Sequence, residues 1–215
     1  MTDDTPNPDG AFLDGAAEAA GIILDRMLGA MTSERGVHVE SLFTALGAHA
    51  GHACQLAALD GLATEHPDYA GLSYIEVKGA NGDEYLFGDA INRPLAESQH
   101  SFWQLIGAKI SQLGGEVPDA TEYFRHSAAT VGSDQFGLPR YAEGTAAGDT
   151  PRGYLPSFEA LRPSIVVSAP DPQQWPVAYG IAVRSALDMT GGQFDYGVLA
   201  RIVMDSAIAT SKLRV

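Results

Sequence analysis

Apolar residues recur at helical spacing through most of the chain. In residues 12–31 they fall on one side of the helical pattern, while Asp14, Glu18 and Asp25 lie opposite. A second run, residues 39–61, has the same spacing but is rich in glycine and alanine. Because only a few residues separate the two runs, they predict two helices that form an antiparallel pair.

In residues 72–87 the period changes from about 3.6 to about 2. Ile75 and Val77 alternate with polar side chains, and Asn81 and Gly82 follow before a second short apolar run. An Asn-Gly pair favours a two-residue hairpin turn of type I′, which requires positive φ at both positions. The pattern therefore predicts one isolated antiparallel β-hairpin, which needs helices or a partner chain to cover one face.

Four further helices are predicted after the hairpin. One begins near Pro94 and ends at residues 114–115, and a shorter one follows Asp119 as its N-cap. The last two follow Pro176 and Asp195. Because the final helix has two roughly opposite apolar faces, we expect it to be either the central helix of the bundle or a subunit contact.

Residues 132–175 have a different composition, with six prolines and five glycines. This density of helix breakers predicts an irregular excursion, in which only residues 164–169 could form a strand. A segment of this kind is either a connector that wraps the surface or a lid over a ligand. Its aromatic side chains are expected to attach it to the rest of the protein.

Together these patterns predict an α+β fold that is mostly α. It is a helical bundle with one antiparallel β-hairpin and a long Pro/Gly-rich irregular segment. Residues 1–10, which include Pro6 and Pro8, are predicted to form a disordered tail. Residues 11–215 are predicted to form a single globular domain.

The chain is strongly acidic, with 27 Asp and Glu against 13 Lys and Arg and a formal charge of −14. This charge repels phosphate backbones and anionic headgroups, so neither nucleic-acid binding nor membrane association is predicted. The single cysteine cannot form an internal disulfide, and the N-terminus is acidic where a secretory signal would be basic and then apolar. These features indicate a cytoplasmic location.

The segment LGAHAGHACQL, residues 46–56, carries two histidines and the only cysteine. His49 and His52 are i,i+3 neighbours that can project together from a helix, whereas Cys54 points away from them. A catalytic zinc site needs three protein ligands, so this pair alone predicts no metal and no cofactor. Cys54 is expected to be a small core residue.

The glycines of the same segment favour a structural interpretation. Gly47 and Gly51 lie one turn apart among alanines. They would keep the helix thin enough for a neighbouring backbone to approach closely. The histidines would then flank this contact without taking part in chemistry.

The sequence contains no complete catalytic set, so whether the protein is an enzyme stays open. The first hypothesis is a non-enzymatic interaction module that self-associates through its last helix, most simply as a dimer. The candidate interface residues are Ala200, Met204, Ala207 and Ile208.

The alternative is a small-molecule binding protein or enzyme. Its pocket would lie between the helix that carries the two histidines and the 132–175 segment, because long loops with aromatic side chains often close pockets. The candidate ligand-binding residues are His49, His52, Arg140, Tyr154 and Trp175.

Overall fold

The computed structural model describes residues 8–214, and this part of the protein is mostly helical, which confirms the predicted fold class. The α-helices are α1 (Pro8–Met31), α2 (Val39–Ala63), α3 (Asp89–Asn92), α4 (Phe102–Gln112), α5 (Ala120–Thr130), α6 (Pro151–Ser168), α7 (Trp175–Met189) and α8 (Tyr196–Lys212). The strands are β1 (Thr32–Ser33), β2 (Gly36–Val37), β3 (Ile75–Lys78) and β4 (Glu84–Phe87). They form two separate antiparallel pairs, β1 with β2 and β3 with β4.

Helices α2 and α8 form the centre of the fold. Their mutual contact is the most extensive between any two described elements, and α2 also packs against α6 and α7. Helix α8 is covered on several sides, by α2, α4, α5 and α6. This arrangement explains the two apolar faces of the last helix, because both faces lie inside the same chain.

Helix α1 packs mainly against α7 and α6 and only slightly against α2. The chain does reverse direction after α1, through the two-residue strands β1 and β2. The predicted antiparallel pair of α1 and α2 is therefore replaced by a contact between α1 and the later helices. Short connections favour contact between helices that are consecutive in the chain. They do not determine which helices share a core.

The predicted hairpin is present, with Ile75 opposite Phe87 and Val77 opposite Tyr85. Its turn differs from the predicted two-residue type I′ form. Gly82 has a positive φ of 87° and donates its N–H to the Gly79 carbonyl, so the loop has three residues. A three-residue loop with glycine in the left-handed region is the next commonest hairpin connection.

The helix predicted from Pro94 to residues 114–115 is interrupted. Helix α3 continues into a π-helical turn at Arg93–Glu97, and α4 begins only at Phe102. Ser101 forms a new N-cap, because its hydroxyl accepts the N–H of Gln104. An N-cap serine inside an apolar run is the local signal for this break.

The prediction that residues 132–175 form an irregular excursion is wrong for its second half. Residues 131–150 contain turns only, but α6 then runs through the predicted strand at 164–169. Thr150 caps α6 by accepting the N–H of Gly153, and Pro151 takes the first helical position, where its missing N–H is not needed.

Helix α6 tolerates two internal prolines because of their position. Pro156 and Pro163 are seven residues apart and both are exposed, so they lie on the solvent side of the helix. Water can bind the carbonyl groups that each proline leaves without a helical partner. The opposite side carries a buried apolar stripe: Leu155, Phe158, Leu161 and Ile165.

The predicted disordered tail, residues 1–10, lies mostly outside the described residues. The structure begins with α1 at Pro8, so residues 8–10 belong to a helix. The prediction is therefore wrong for these three residues. A proline at the first position of a helix is a common start signal and accounts for the earlier beginning.

Candidate functional site

A groove of about 430 Å³ lies between α1, α2 and α6. Its lining residues come from all three helices and are mostly apolar: Arg26, Met27, Ala30 and Met31 of α1, Ala45 and His49 of α2, and Tyr154, Ser157, Ala160, Leu161 and Ser164 of α6. The volume is within the range of small-molecule sites in proteins. The groove lies between the histidine helix and the part of the 132–175 segment that forms α6, and α1 forms its third wall.

The shape of the groove follows from the residues on its walls. The lining positions on α6 run from Tyr154 to Ser164 at helical spacing, so the groove extends for about 15 Å along that helix. Ala30 and Ala160 are short side chains on its two walls, and Ala45 contributes another from α2. Because these side chains are small, α1 and α6 leave an open channel between them.

His49 is the buried polar residue of the groove, with 1% of its surface exposed. Its Nε2 lies 3.0 Å from the Tyr154 carbonyl oxygen and 2.8 Å from the Ser157 hydroxyl. The rings of Phe158 and Tyr179 contact it edge-on. Burial lowers the pKa of His49 to about 4, so the imidazole is neutral at neutral pH.

The pair of Ser157 and His49 resembles part of a serine hydrolase site, but its hydrogen bonds point the other way. The Ser157 hydroxyl donates to the Tyr154 carbonyl oxygen at 2.6 Å. That carbonyl is an acceptor, and Nε2 of His49 also lies within hydrogen-bond distance of it, so Nε2 carries the proton. A protonated Nε2 cannot remove the proton of the serine.

The other nitrogen of His49 also lacks a catalytic partner. Its Nδ1 faces the Tyr179 hydroxyl at 3.5 Å. Burial raises the pKa of Tyr179 well above its usual value, so the phenol stays neutral. A neutral phenol cannot stabilise an imidazolium as a carboxylate does. His49 is therefore a neutral part of the groove wall, and both of its ring nitrogens already face protein groups.

His52 projects to the same side of α2 as His49, as predicted, but it does not line the groove. Its ring packs on Phe158 with the centroids 4.8 Å apart, and its Nε2 lies 3.8 Å from a Glu159 carboxylate oxygen. Burial lowers the pKa of His52, although the charge of Glu159 opposes this shift. Both histidines contact Phe158, so an aromatic ring occupies the side of α2 that they share.

Arg140 and Trp175, which the sequence analysis also named as candidate ligand-binding residues, do not line this groove. Arg140 forms a two-pronged ion pair with Asp205 and also contacts Glu122 at 2.6 Å, between α5 and α8. Trp175 is buried, and its indole N–H donates to the Ala169 carbonyl oxygen at 2.8 Å. The hydrogen-bond partners of Arg140 are distant in sequence, and that of Trp175 lies across a turn. The composition of the segment therefore did not indicate these contacts.

Of the predicted ligand residues, His49 and Tyr154 line this groove, together with residues that the sequence analysis did not name. Ser157, Ala160 and Ser164 of α6 were missed because the segment that carries them was predicted to be irregular. The apolar stripe on the buried side of α6 is the sequence signal that could have revealed the helix.

The proposed subunit interface on the last helix is also corrected. All four residues are buried within the chain and have no free surface for a second subunit: Ala200, Met204, Ala207 and Ile208. The other alternative from the sequence, that the last helix is the central one, agrees with the packing of α8.

The glycine interpretation of α2 is confirmed. A Cβ atom at Gly47 would stand 2.9 Å from the Cα of Val203, so the α8 backbone touches α2 at this point. Cys54 is fully buried, and burial raises the pKa of its thiol. It is a core residue, as predicted.

Two further findings concern the described region. Across residues 8–214, His, Cys, Asp and Glu side chains do not gather in any group of three or more that could hold a metal ion. None of the helices in that range has the length and apolar character needed to cross a membrane.

Comparison of the chain with models of protein families, with curated proteins and with solved structures gives no match.

Proposed function

We propose that this protein binds a small, mainly apolar molecule in the groove between α1, α2 and α6, without converting it chemically. The observation that carries the proposal is the combination of an apolar channel with a neutral, hydrogen-bonded histidine in its lining. Sites for small molecules are commonly apolar clefts in which a few polar groups set the orientation of the ligand. The orientation of His49 supports binding and not acyl transfer.

The charges around the groove favour an anionic ligand. Arg26 is the one charged residue among the described residues that line it, and no carboxylate lines it. Within residues 8–214 Arg26 forms no ion pair with another side chain. In a chain with 27 acidic residues, a groove with a single free cation is suited to an apolar molecule that carries a carboxylate.

The first experiment tests whether the groove binds apolar molecules at all. The neutral fluorescent probe N-phenyl-1-naphthylamine is titrated into the protein, and saturable enhancement of its fluorescence is expected. Ala160→Phe, which fills the groove from α6, should abolish this binding. Ala129→Phe is the matched control, because Ala129 is exposed on α5 and lies away from the groove. Absence of saturable binding to the wild-type protein would overturn the proposal.

The second experiment tests the class of ligand. Decanoate and decan-1-ol compete for the bound probe at neutral pH, and decanoate should compete about tenfold better, as an ion pair with Arg26 predicts. Arg26→Gln should remove this preference. Arg125→Gln changes the net charge equally on an exposed part of α5 and should leave the preference intact. If decanoate and decan-1-ol competed equally well, the prediction that the ligand carries a carboxylate would be wrong. The proposal that the groove binds apolar molecules would still hold.

Self-association is a second candidate function, but it needs a surface other than the buried face of α8. Strand β3 is such a surface, because all four of its residues are exposed. We also propose a cytoplasmic location, which is supported by a single cysteine that has no partner for an internal disulfide.

A further inference from the structure

Strand β3 has one free edge. In the described part of the chain it pairs only with β4, and all four of its residues are exposed. Strand β4 is better anchored, because it also forms a bridge between Tyr85 and Leu213 at the end of α8. A strand edge with unpaired backbone groups is a template on which another strand can add.

The register of the hairpin shows which backbone groups point outward. Gly79 donates its N–H to the Asp83 carbonyl oxygen across the turn, and Val77 pairs with Tyr85. Because the direction of the backbone groups alternates along a strand, Ile75 and Val77 bond to β4. The N–H and C=O groups of Glu76 and Lys78 therefore point to the free edge.

We infer that β3 is the docking surface for a second copy of this chain, which adds its own β3 in antiparallel orientation. The order of charges along the edge supports this pairing. When Val77 of one copy lies opposite Val77 of the other, each Glu76 lies opposite the Lys78 of the second copy. The outward backbone groups of these residues then form two hydrogen-bonded pairs.

Other registers of the same edge do not match. Centring the pair on residue 76 places Glu76 opposite Glu76, and centring it on residue 78 places Lys78 opposite Lys78. Like charges directly opposite one another destabilise a sheet. Of these three registers, only the one centred on Val77 places opposite charges across the contact.

The same register covers the exposed apolar side chains of the strand. Ile75 has 63% of its surface exposed and Val77 has 37%. In the proposed pair, Val77 contacts Val77 of the second copy, and Ile75 lies diagonal to that residue on the same face. The result is a four-stranded antiparallel sheet in the order β4, β3, β3, β4.

The contact is small, so a weak dimer is expected. Glu76 already contacts Arg214 at 2.7 Å, but both side chains are half-exposed, and Glu76 can exchange this contact for one with the second copy. Sedimentation equilibrium over a wide range of protein concentration should show the apparent mass rising from monomer toward dimer.

Charge exchange tests the register directly. Lys78→Glu places two carboxylates opposite each other at both ends of the contact and should weaken dimerisation by roughly tenfold or more. The double variant Glu76→Lys with Lys78→Glu restores opposite charges and should dimerise about as well as the wild-type chain. Arg125→Glu is the control with the same change of net charge, and it should not affect dimerisation.

The outcomes are distinct. A wild-type chain that stays monomeric at the highest concentration overturns the docking surface. A dimer that Lys78→Glu leaves unchanged, or that the double variant does not restore, overturns the register and places the contact elsewhere. Thermal unfolding of each variant establishes that the exposed substitutions leave the fold intact.

Discussion

Gly51 of α2 lies against the carbonyl oxygen of Ala207 of α8, so closely that a Cβ atom at position 51 would overlap that oxygen. Thr210 stands beside this contact, and its hydroxyl donates to the Ala48 carbonyl oxygen at 2.8 Å. The two helices therefore meet through their backbones. This contact fixes the distance between α2 and α8, and it leaves the opposite side of α2 for His49 and the groove.

Gly51→Ala is expected to lower the free energy of unfolding by about 1 to 3 kcal/mol, because the added methyl group forces α2 and α8 apart. Urea unfolding followed by circular dichroism measures the change. The control is Gly21→Ala on α1, where a Cβ atom would meet no neighbour within 4 Å. That substitution should stabilise the protein by about 0.5 to 1 kcal/mol. Equal effects at the two positions would contradict the close contact.

The close approach of α2 was predictable because it depends on residues of a single helix. Gly47 and Gly51 recur one turn apart, with the small residue Ala48 beside them. The sequence did not show that the neighbour is α8. Which helices share a contact depends on packing across the whole chain.

The groove was only half predictable for a similar reason. His49 and Tyr154 were predicted, since histidine and tyrosine are recognisable as candidate ligands by type. Ala160 was not, because an alanine contributes only by leaving space, and Pro156 and Pro163 obscured the helix on which it lies. Proline spacing becomes informative only when both prolines are known to share the exposed side.

The ion pair of Arg140 and Asp205 provides a second prediction. Asp205 has 2% of its side chain exposed and accepts three hydrogen bonds from Arg140, one of them from the backbone N–H. Asp205→Ala should destabilise the protein by about 3 kcal/mol, because it leaves the guanidinium without its carboxylate. Chemical unfolding measures this loss.

The comparison for that variant is the more exposed pair of Arg152 and Asp83, which are 3.0 Å apart and of which Arg152 is exposed and Asp83 half-buried. Arg152→Gln should change the free energy of unfolding by at most about 1 kcal/mol. If Asp205→Ala destabilised the protein no more than Arg152→Gln does, the ion pair of Arg140 and Asp205 would not be what holds residues 131–150 against α8.

The buried Lys212 side chain should contribute an increase in the free energy of unfolding as the solution becomes alkaline. It is buried at the end of α8 and bonded to the Asn92 side chain, and burial lowers its pKa from 10.5 to about 8. Between these two pH values the unfolded chain holds more protons than the folded one, so the free energy of unfolding increases as pH rises. Ionisation of the Cys54 thiol in the unfolded chain opposes this increase, because burial raises the pKa of that thiol in the folded protein. The measured quantity is therefore the difference in free energy of unfolding between the wild-type chain and Lys212→Met, which should grow from about pH 8 to about pH 10. An identical slope in both proteins would contradict the burial of the charge.

The buried His49 side chain should make the protein less stable in acid. Its folded pKa is lowered from 6.5 to about 4 by burial, so the folded protein resists protonation while the unfolded chain accepts it. The stability that comes from the neutral imidazole is complete above pH 6.5 and is lost progressively as pH falls toward 4, by about 3 kcal/mol in total.

Carboxylates and His52 also titrate in this range, so the measured quantity is the difference between the wild-type chain and His49→Gln. Glutamine cannot take up a proton, but its amide can still donate to the Tyr154 carbonyl oxygen. Urea unfolding at about pH 7 and about pH 4 should show a smaller loss of stability in His49→Gln than in the wild-type chain. Equal losses would mean that water reaches the imidazole, and the groove would then be too polar at its floor to favour an apolar ligand.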